Sequence, residues 1–321
     1  AATVTDSDVQ LGRIDPKYFA GGEVELIPDK SGSALLASVG SVLEVDETES
    51  ACMVTEIVDE NMANAARVHA VERGKEMNGR AMIAFGGAAP LHATRLAEKL
   101  GLRTVIVPTG AGVGSAIGFL RAPISYEVVR SRFIRLQDFD LAAINEMLFD
   151  MQQQAESVVR MAVPDGELLT TRTADMRYAG QGHEISVSLP LPKLTLSAAT
   201  LLKENFDDSY ARQYGQIIPG IDIEVLSWTV TVTHTTGIRK MLKNPEQIDT
   251  PVPAAQRQVV DASSGNLENY FVYSRTELRP GMEIKGPALI IEDETTTLIS
   301  SAFDAQINSA GYIVLNQRDM E

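Results

Sequence analysis

The chain has 321 residues, 44% of them hydrophobic, and its 28 Lys and Arg residues against 43 Asp and Glu residues give a formal net charge of −15 at pH 7. Such a charge repels phosphate backbones and anionic lipid surfaces at long range, and no apolar run is long enough to cross a membrane, so nucleic-acid and membrane partners are disfavoured. The length suits two domains, and the single cysteine, Cys52, excludes an internal disulfide. We expect a cytoplasmic protein.

The first part of the chain combines turns with short regular segments. Residues 11–22 are rich in turn formers, residues 23–27 alternate charged and apolar side chains as an edge strand does, and residues 31–45 have helical spacing. A longer helix is predicted for residues 49–74. One stripe of this helix is apolar and is expected to dock on the core; it consists of Val54, Ile57, Val58, Met62, Ala65 and Val68.

Residues 80–101 predict a buried strand, a double-glycine turn and an amphipathic helix in succession. The two glycines allow backbone N–H groups to approach a ligand, proline suits a first helical turn, and the helix N-terminus carries unpaired donors with a partial positive charge. This arrangement favours an adenosine phosphate as the ligand. The candidate contacts are Gly86, Gly87, Ala88 and Pro90.

His92 lies in the first turns of the same predicted helix. There a neutral imidazole could contact ribose or phosphate, or the residue could simply pack, and a helix N-terminus would lower its pKa. The four histidines of the chain show no metal-ligand spacing, so no metal site is predicted.

A second strand, loop and helix follow at residues 103–108, 109–114 and 115–120. Two strands joined by a helix are expected to be parallel neighbours, so this half of the chain is predicted to be α/β. Three glycines in the loop resemble a dinucleotide-binding turn, but their spacing is one residue short and no acidic residue follows a second short strand where one is needed. The glycines are expected to allow tight helix packing instead.

The pattern changes near residue 122, where we place a domain boundary, so that residues 1–122 form one domain and residues 123–321 another. Helices are predicted at residues 136–162 and 196–214, and strands at residues 168–178, 184–189 and 221–234, the last with a bulge near Ser227. The tail, from about residue 250, consists of strands and turns. The second domain is therefore predicted to be α+β with a β-rich tail.

Two polar groups in this second part have alternative interpretations. The hairpin around residues 177–184 presents Arg177, Tyr178, Gln181, His183 and Glu184, which could bind a polar substrate but are better explained by local pairing across strands. Residues 292–297 carry three consecutive carboxylates that would project to alternating faces if extended, so a solvated turn before a threonine-rich strand is favoured over a magnesium site.

Five segments are notable in order along the chain: residues 60–65 (ENMANA), 71–74 (VERG), 85–92 (FGGAAPLH), 176–181 (MRYAGQ) and 286–297 (GPALIIEDETTT). Together they resemble the hydantoinase A/oxoprolinase family. Residues 11–16 also resemble a family loop that lies near the active cleft. The resemblance implies the C-terminal part of an actin-like (ribonuclease-H-like) ATPase domain followed by a β-rich α+β domain. It also implies that Asn61, on the helix that crosses near the nucleotide, is a further candidate contact.

The chain departs from the family in one respect, because neither of the family's phosphate loops is present in residues 1–321. We therefore expect it to be the C-terminal part of a longer subunit and to be inactive alone. ATP with Mg²⁺ is the implied cofactor, with magnesium ligands mainly outside this chain. No catalytic residue is assigned.

The resemblance leaves three functions open. The first is an ATP-dependent hydrolase that opens cyclic amides such as hydantoins, 5-oxoproline or lactams, in which ATP turns the amide oxygen into a phosphorylated leaving group and this chain binds the adenosine side. The second is a subunit of an ATP-dependent ketone carboxylase. The third is a non-catalytic assembly module. The implied partners are a hydantoinase-B-like subunit or domain and the N-terminal part of the same subunit.

Overall fold

The computed structural model describes residues 1–191, 193–235, 245 and 250–319. Its helices are α1 (Val4–Gln10), α2 (Pro28–Leu35), α3 (Ser41–Leu43), α4 (Glu47–Glu72), α5 (Ala89–Leu100), α6 (Gly114–Arg121), α7 (Leu141–Ala162) and α8 (Ala198–Tyr214). Its strands are β1 (Ala81–Ile83), β2 (Thr104–Val107), β3 (Ser125–Arg135), β4 (Leu168–Tyr178), β5 (Ile185–Ser188), β6 (Ile223–His234), β7 (Ala255–Val260), β8 (Leu267–Ser274), β9 (Glu283–Lys285), β10 (Ala288–Ile291), β11 (Thr296–Ile299), β12 (Phe303–Ile307) and β13 (Ile313–Gln317). In the described part of the chain, no helix is long and apolar enough to cross a membrane.

The chain divides into two compact units. Unit 1 consists of Ala1–Leu120 together with Lys240–Glu321, and unit 2 is Arg121–Arg239. The first division lies two residues from the predicted boundary at 122, but the tail groups with unit 1, whereas the sequence places it in a continuous domain of residues 123–321. The reason is strand pairing: β13 pairs with β2 and β12 pairs with β13, so the tail extends the sheet that β1 and β2 begin.

Unit 1 contains two sheets and most of the helices. The five-stranded sheet has the order β1-β2-β13-β12-β9, and its β1–β2 pair is parallel, as the sequence predicts. The four-stranded sheet has the order β11-β10-β8-β7. Helix α5 packs against both β2 and β11. Every second residue along β12 and at the start of β13 is buried, and these residues form the apolar face of the first sheet. In the second sheet, all four residues of β11 are buried.

Unit 2 is an antiparallel sheet with the order β3-β6-β4-β5, packed on α7 and α8 around one hydrophobic core. Strand β4 has the predicted bounds, and the predicted bulge is confirmed: Ser227 pairs with Asp175, but the next pair along joins Val225 to Met176, so β6 contains one extra residue. Asp140 caps α7 by accepting hydrogen bonds from two backbone N–H groups of the first turn, which explains why this helix begins after the predicted residue 136.

The predicted helix at residues 49–74 forms, but it buries a different face from the predicted one. Ile57 is 61% exposed and Val68 is 57% exposed. The face that packs on neighbouring helices is small and polar, consisting of Ser50, Ala51, Thr55, Asp59 and Ala63. Small side chains let α4 approach α1 and α5 closely, and Asp59 on this face contacts His92 of α5, so side-chain size and this one pairing outweigh apolar periodicity in this helix.

The predicted edge strand at residues 23–27 is absent, and this prediction is wrong. The backbone N–H of Leu26 donates to the carbonyl of Pro16, 2.9 Å away, so the segment closes a loop instead of joining a sheet. Its alternating pattern covers only a few residues, between Gly22 and the start of α2 at Pro28, which is too short to specify pairing.

Truncation in the core of unit 2 is expected to destabilise that unit selectively. Leu148 is fully buried, so Leu148→Ala should lower the free energy of unfolding of unit 2 by roughly 2–5 kcal/mol. Leu196 is 95% exposed, and Leu196→Ala should change it by less than about 0.5 kcal/mol. Trp228 is the single tryptophan and is buried in this core, so urea unfolding followed by its fluorescence measures both variants. Equal effects would contradict the assigned packing.

Candidate functional site

The double-glycine turn follows β1 and leads into α5, as the sequence predicts. The prediction that this strand is buried is wrong, because β1 lies at the edge of its sheet with Ala81 and Ile83 exposed. Gly86 has a φ of +117°, a conformation that other residues rarely adopt, and its N–H donates to the carbonyl of Ala111 at 2.7 Å. Ala88 caps the helix without a side-chain hydrogen bond. Gly87 and Ala88 are exposed, so their backbone can meet a ligand.

A segment of the tail holds the other side of the turn. The hydroxyl of Thr295 donates to the carbonyl of Gly87 at 2.8 Å. Nearby, a Cβ atom at Gly112 would lie 2.7 Å from the carbonyl oxygen of Glu294, so only glycine fits there. In the glycine loop that resembles a dinucleotide-binding turn, Gly112 thus admits the backbone of the tail. The expected tight packing of the following helix is wrong, because α6 buries none of its residues.

A cleft of about 530 Å³ opens beside Gly87. One wall is the loop of residues 14–23, and the other is formed by Leu91 and residues 291–296. The hydroxyl of Tyr18 donates to Asp293 Oδ1 at 2.7 Å and joins the two walls. This hydrogen bond, ahead of the nearby charge, raises the pKa of Tyr18.

The cleft is strongly acidic. Its lining includes five carboxylates, at Asp15, Glu23, Glu292, Asp293 and Glu294, and no Lys or Arg among the described lining residues. Two of the five form ion pairs with arginines that do not line the cleft. Arg257 Nη2 lies 2.8 Å from Asp15 Oδ2, and Arg275 Nε lies 3.8 Å from Glu292 Oε1. Burial raises the pKa of Glu292 despite Arg275, so this carboxyl is not a freely solvated one. The remaining carboxylates leave the cleft negative, which disfavours a polyphosphate and suits an uncharged or cationic group.

His92 is placed differently from the sequence-based expectation. Its side chain is buried, with Nδ1 2.8 Å from Asp59 Oδ1 and Nε2 3.3 Å from Asp8 Oδ2, while Arg13 contacts Asp8 at 3.2 Å. Burial by itself would lower the pKa of His92, but the two carboxylates outweigh it and raise this pKa to about 9. The expected lowering by the helix N-terminus is therefore wrong. Nδ1 is hydrogen-bonded to Asp59 and Nε2 faces the carboxylate of Asp8, so this His92 cluster joins α1, α4 and α5.

The structure brings only part of the predicted set to the cleft. Gly87 lines it, with Gly86 and Ala88 adjacent in the same turn, while Pro90 is buried in the first turn of α5. Asn61 is exposed on α4 and does not line the cleft.

Sequence reasoning missed other lining residues. They include Asp15, Tyr18, Glu23 and Thr295. The resemblance of residues 11–16 to a family loop was a usable signal for the first of them. Among the described residues, no group of three or more His, Cys, Asp or Glu side chains is placed to hold a metal ion.

In the polar hairpin of unit 2, one residue is paired across strands, as favoured from the sequence: Arg177 contacts Glu224 on β6 at 3.0 Å. Gln181 instead donates to the hydroxyl of Tyr210 on helix α8 at 2.7 Å. His183 and Glu184 are exposed.

Comparisons with known proteins agree with the resemblance. The hydantoinase/oxoprolinase family profile matches residues 1–128, and that of the hydantoinase/oxoprolinase C-terminal domain matches residues 141–317. The alpha subunit of caprolactamase from Pseudomonas jessenii is 26% identical over 317 residues, covering 97% of this chain and 46% of that protein. The acetone carboxylase beta subunit of Xanthobacter autotrophicus is 26% identical over 330 residues, covering 95% of this chain and 44% of that protein.

A solved structure shows the same fold. The crystal structure of ATP-dependent caprolactamase from Pseudomonas jessenii superposes with a TM-score of 0.79 at 25% identity, over 99% of this chain and 47% of that one. The chain thus spans about half the length of these relatives.

The His92 cluster makes the stability of unit 1 depend on pH. Because the pKa of His92 is raised in the folded state, its contribution is fully present below pH 6.5 and is lost as the pH rises to about 9, a change of roughly 3 kcal/mol. Urea unfolding at several pH values, followed by circular dichroism, should show this loss in the wild type and not in His92→Gln.

Two controls accompany this measurement. Trp228 fluorescence follows unit 2 in the same samples, and His69→Gln removes an exposed histidine from α4 without touching the cluster. A His92→Gln variant with the same pH dependence as wild type would contradict the assignment.

Proposed function

The chain belongs to the hydantoinase/oxoprolinase family, and on that premise we propose that it forms the nucleoside-binding wall of an ATP-dependent enzyme that opens cyclic amides. The observation that carries the proposal is the exposed backbone of Gly87, which borders a cleft at the start of α5. Bound ATP would supply the phosphoryl group that makes an unreactive amide carbon open to water. The Gly87 turn and the acidic loop beside it would bind and orient the cofactor.

The charge of the cleft supports the nucleoside as the bound part of ATP. Adenine and ribose are both uncharged. The amine of adenine and the hydroxyl groups of ribose can donate hydrogen bonds to carboxylates such as those of Asp15 and Glu23. A triphosphate would lie against several negative charges, with no Lys or Arg among the lining residues that the structure describes to offset them. The phosphates and Mg²⁺ are therefore assigned to the part of the enzyme outside this chain.

One further feature of the proposal comes from the relatives. The caprolactamase and acetone carboxylase proteins are named as subunits, and we infer a separate partner subunit here, of the hydantoinase-B-like type.

His92 and Asn61, both named as contacts from the sequence, are left out of the proposed site, because the first is enclosed by carboxylates and the second lies outside the cleft.

Bulk at Gly87 is expected to block nucleoside binding. A Cβ atom at this position would meet only the Glu294 carbonyl, at an ordinary 3.7 Å, so Gly87→Ala should fold and bind as the wild type does. In Gly87→Leu the leucine side chain should enter the cleft and weaken adenosine binding at least about tenfold, which corresponds to roughly 1.4 kcal/mol. Equilibrium titration with adenosine measures both variants.

Gly118→Leu is the control for bulk elsewhere in unit 1. Position 118 faces open space in α6, so this variant should bind adenosine normally. Unchanged affinity in Gly87→Leu would remove the turn from the site.

Sequence identity supports the carboxylase alternative equally, since the caprolactamase and acetone carboxylase subunits are both 26% identical to this chain. Product formation by the full-length subunit with its partner distinguishes the two reactions. A hydrolase should consume ATP with lactams or hydantoins whether or not bicarbonate is present. Product that appears only with bicarbonate, from a ketone, would replace the hydrolase proposal.

A further inference from the structure

A second pocket, of about 430 Å³, lies within unit 2 and is independent of the proposed function. Helix α7 contributes four residues at steps of three and four, which places them on one helical face: Ala142, Asn145, Glu146 and Phe149. The other lining residues are Arg172 on β4 and Lys193, which follows β5. We call it the Arg172 pocket.

Arg172 carries a positive charge but lies on the face of β4 that packs toward the core, where a solvated residue is not expected. It alternates in register with Ala174 and Met176, which are fully buried on the sheet face that α7 and α8 cover. Its Nη2 donates to the side-chain oxygen of Gln152 on α7 at 2.6 Å. Among the described residues, no carboxylate pairs with it, whereas Arg177 on the same strand contacts Glu224.

Burial lowers the pKa of Arg172 without an opposing carboxylate, but a guanidinium keeps its proton in proteins. A half-buried charge of this kind costs free energy until a counter-ion is supplied. In a chain with a net charge of −15, the absence of any such partner in the described residues points to one from solution.

Lys193 provides a second cation, and the loop that carries it is fixed on α7. The buried amide of Asn145 donates through Nδ2 to the carbonyl of Leu194 at 2.9 Å and accepts from the N–H of Leu194 at 2.8 Å. Glu146 is the lining carboxylate, so the pocket has a net positive charge. A singly charged anion is favoured, since Glu146 would oppose a more highly charged one.

Phe149 adds a flat apolar surface. Its side chain is 60% exposed although it lies on the same helical face as Asn145. A planar carboxylate matches the fork of a guanidinium, and a flat body would cover the phenyl ring. We propose that the Arg172 pocket binds a small organic carboxylate with a flat apolar body.

Benzoate is the probe for this proposal, and benzamide, which has the same shape and no charge, is its matched control. Calorimetric titration of the full chain at low ionic strength should show benzoate binding, with benzamide at least about tenfold weaker, because hydrogen bonds to charged groups are the stronger ones. Arg172→Gln and Lys193→Gln should each weaken benzoate binding by about tenfold.

Lys203→Gln is the matched control variant, since Lys203 is an exposed cation paired with Asp207 on α8, outside the pocket. It should bind benzoate as the wild type does. Lys193 is exposed, so its variant tests the proposal even if Arg172→Gln fails to fold. Absence of benzoate binding, equal binding of benzamide, or full affinity in Lys193→Gln would each overturn the proposal.

Discussion

The cleft depends on how closely three backbone segments approach one another around Gly87. The turn after β1 donates a hydrogen bond to Ala111, the tail donates one back to Gly87 from Thr295, and Gly112 leaves just enough room for the backbone of Glu294. These segments are separated by up to some two hundred residues in the chain, so the site is a product of the tail folding back onto the sheet that β1 and β2 begin. Because the tail packs back onto this sheet, unit 1 consists of two stretches that are separated in the sequence.

Local charge, and not net charge, distinguishes the two pockets. The cleft beside Gly87 concentrates carboxylates, while the Arg172 pocket carries two cations in a chain whose overall charge is −15. Screening limits the influence of remote charges to about 8 Å at physiological ionic strength, so each pocket selects ligands by its own lining. The buried His92 cluster is a third arrangement, in which charges are paired internally and serve to join helices.

Much of the fold could be predicted from local patterns. Strand β4, the bulge in β6, helix α7, and the turn and helix that follow β1 are predicted by periodicity and turn residues, because in each case the neighbouring packing agrees with the local preference. Predictions failed where a distant partner decides the outcome. The buried face of α4 is set by its fit to α1 and α5, and the ionisation of His92 is set by Asp8 and Asp59, which precede it by 84 and 33 positions in the chain.

The central claim is that this chain meets the uncharged part of a nucleotide at the Gly87 turn. Amide hydrogen exchange of the full chain, with adenosine and separately with inorganic tripolyphosphate, tests it most directly. The account predicts that adenosine slows exchange in residues 84–91 and 291–296 and that tripolyphosphate does not. Protection of these segments by tripolyphosphate alone, or adenosine-dependent protection confined to other parts of the chain, would contradict it.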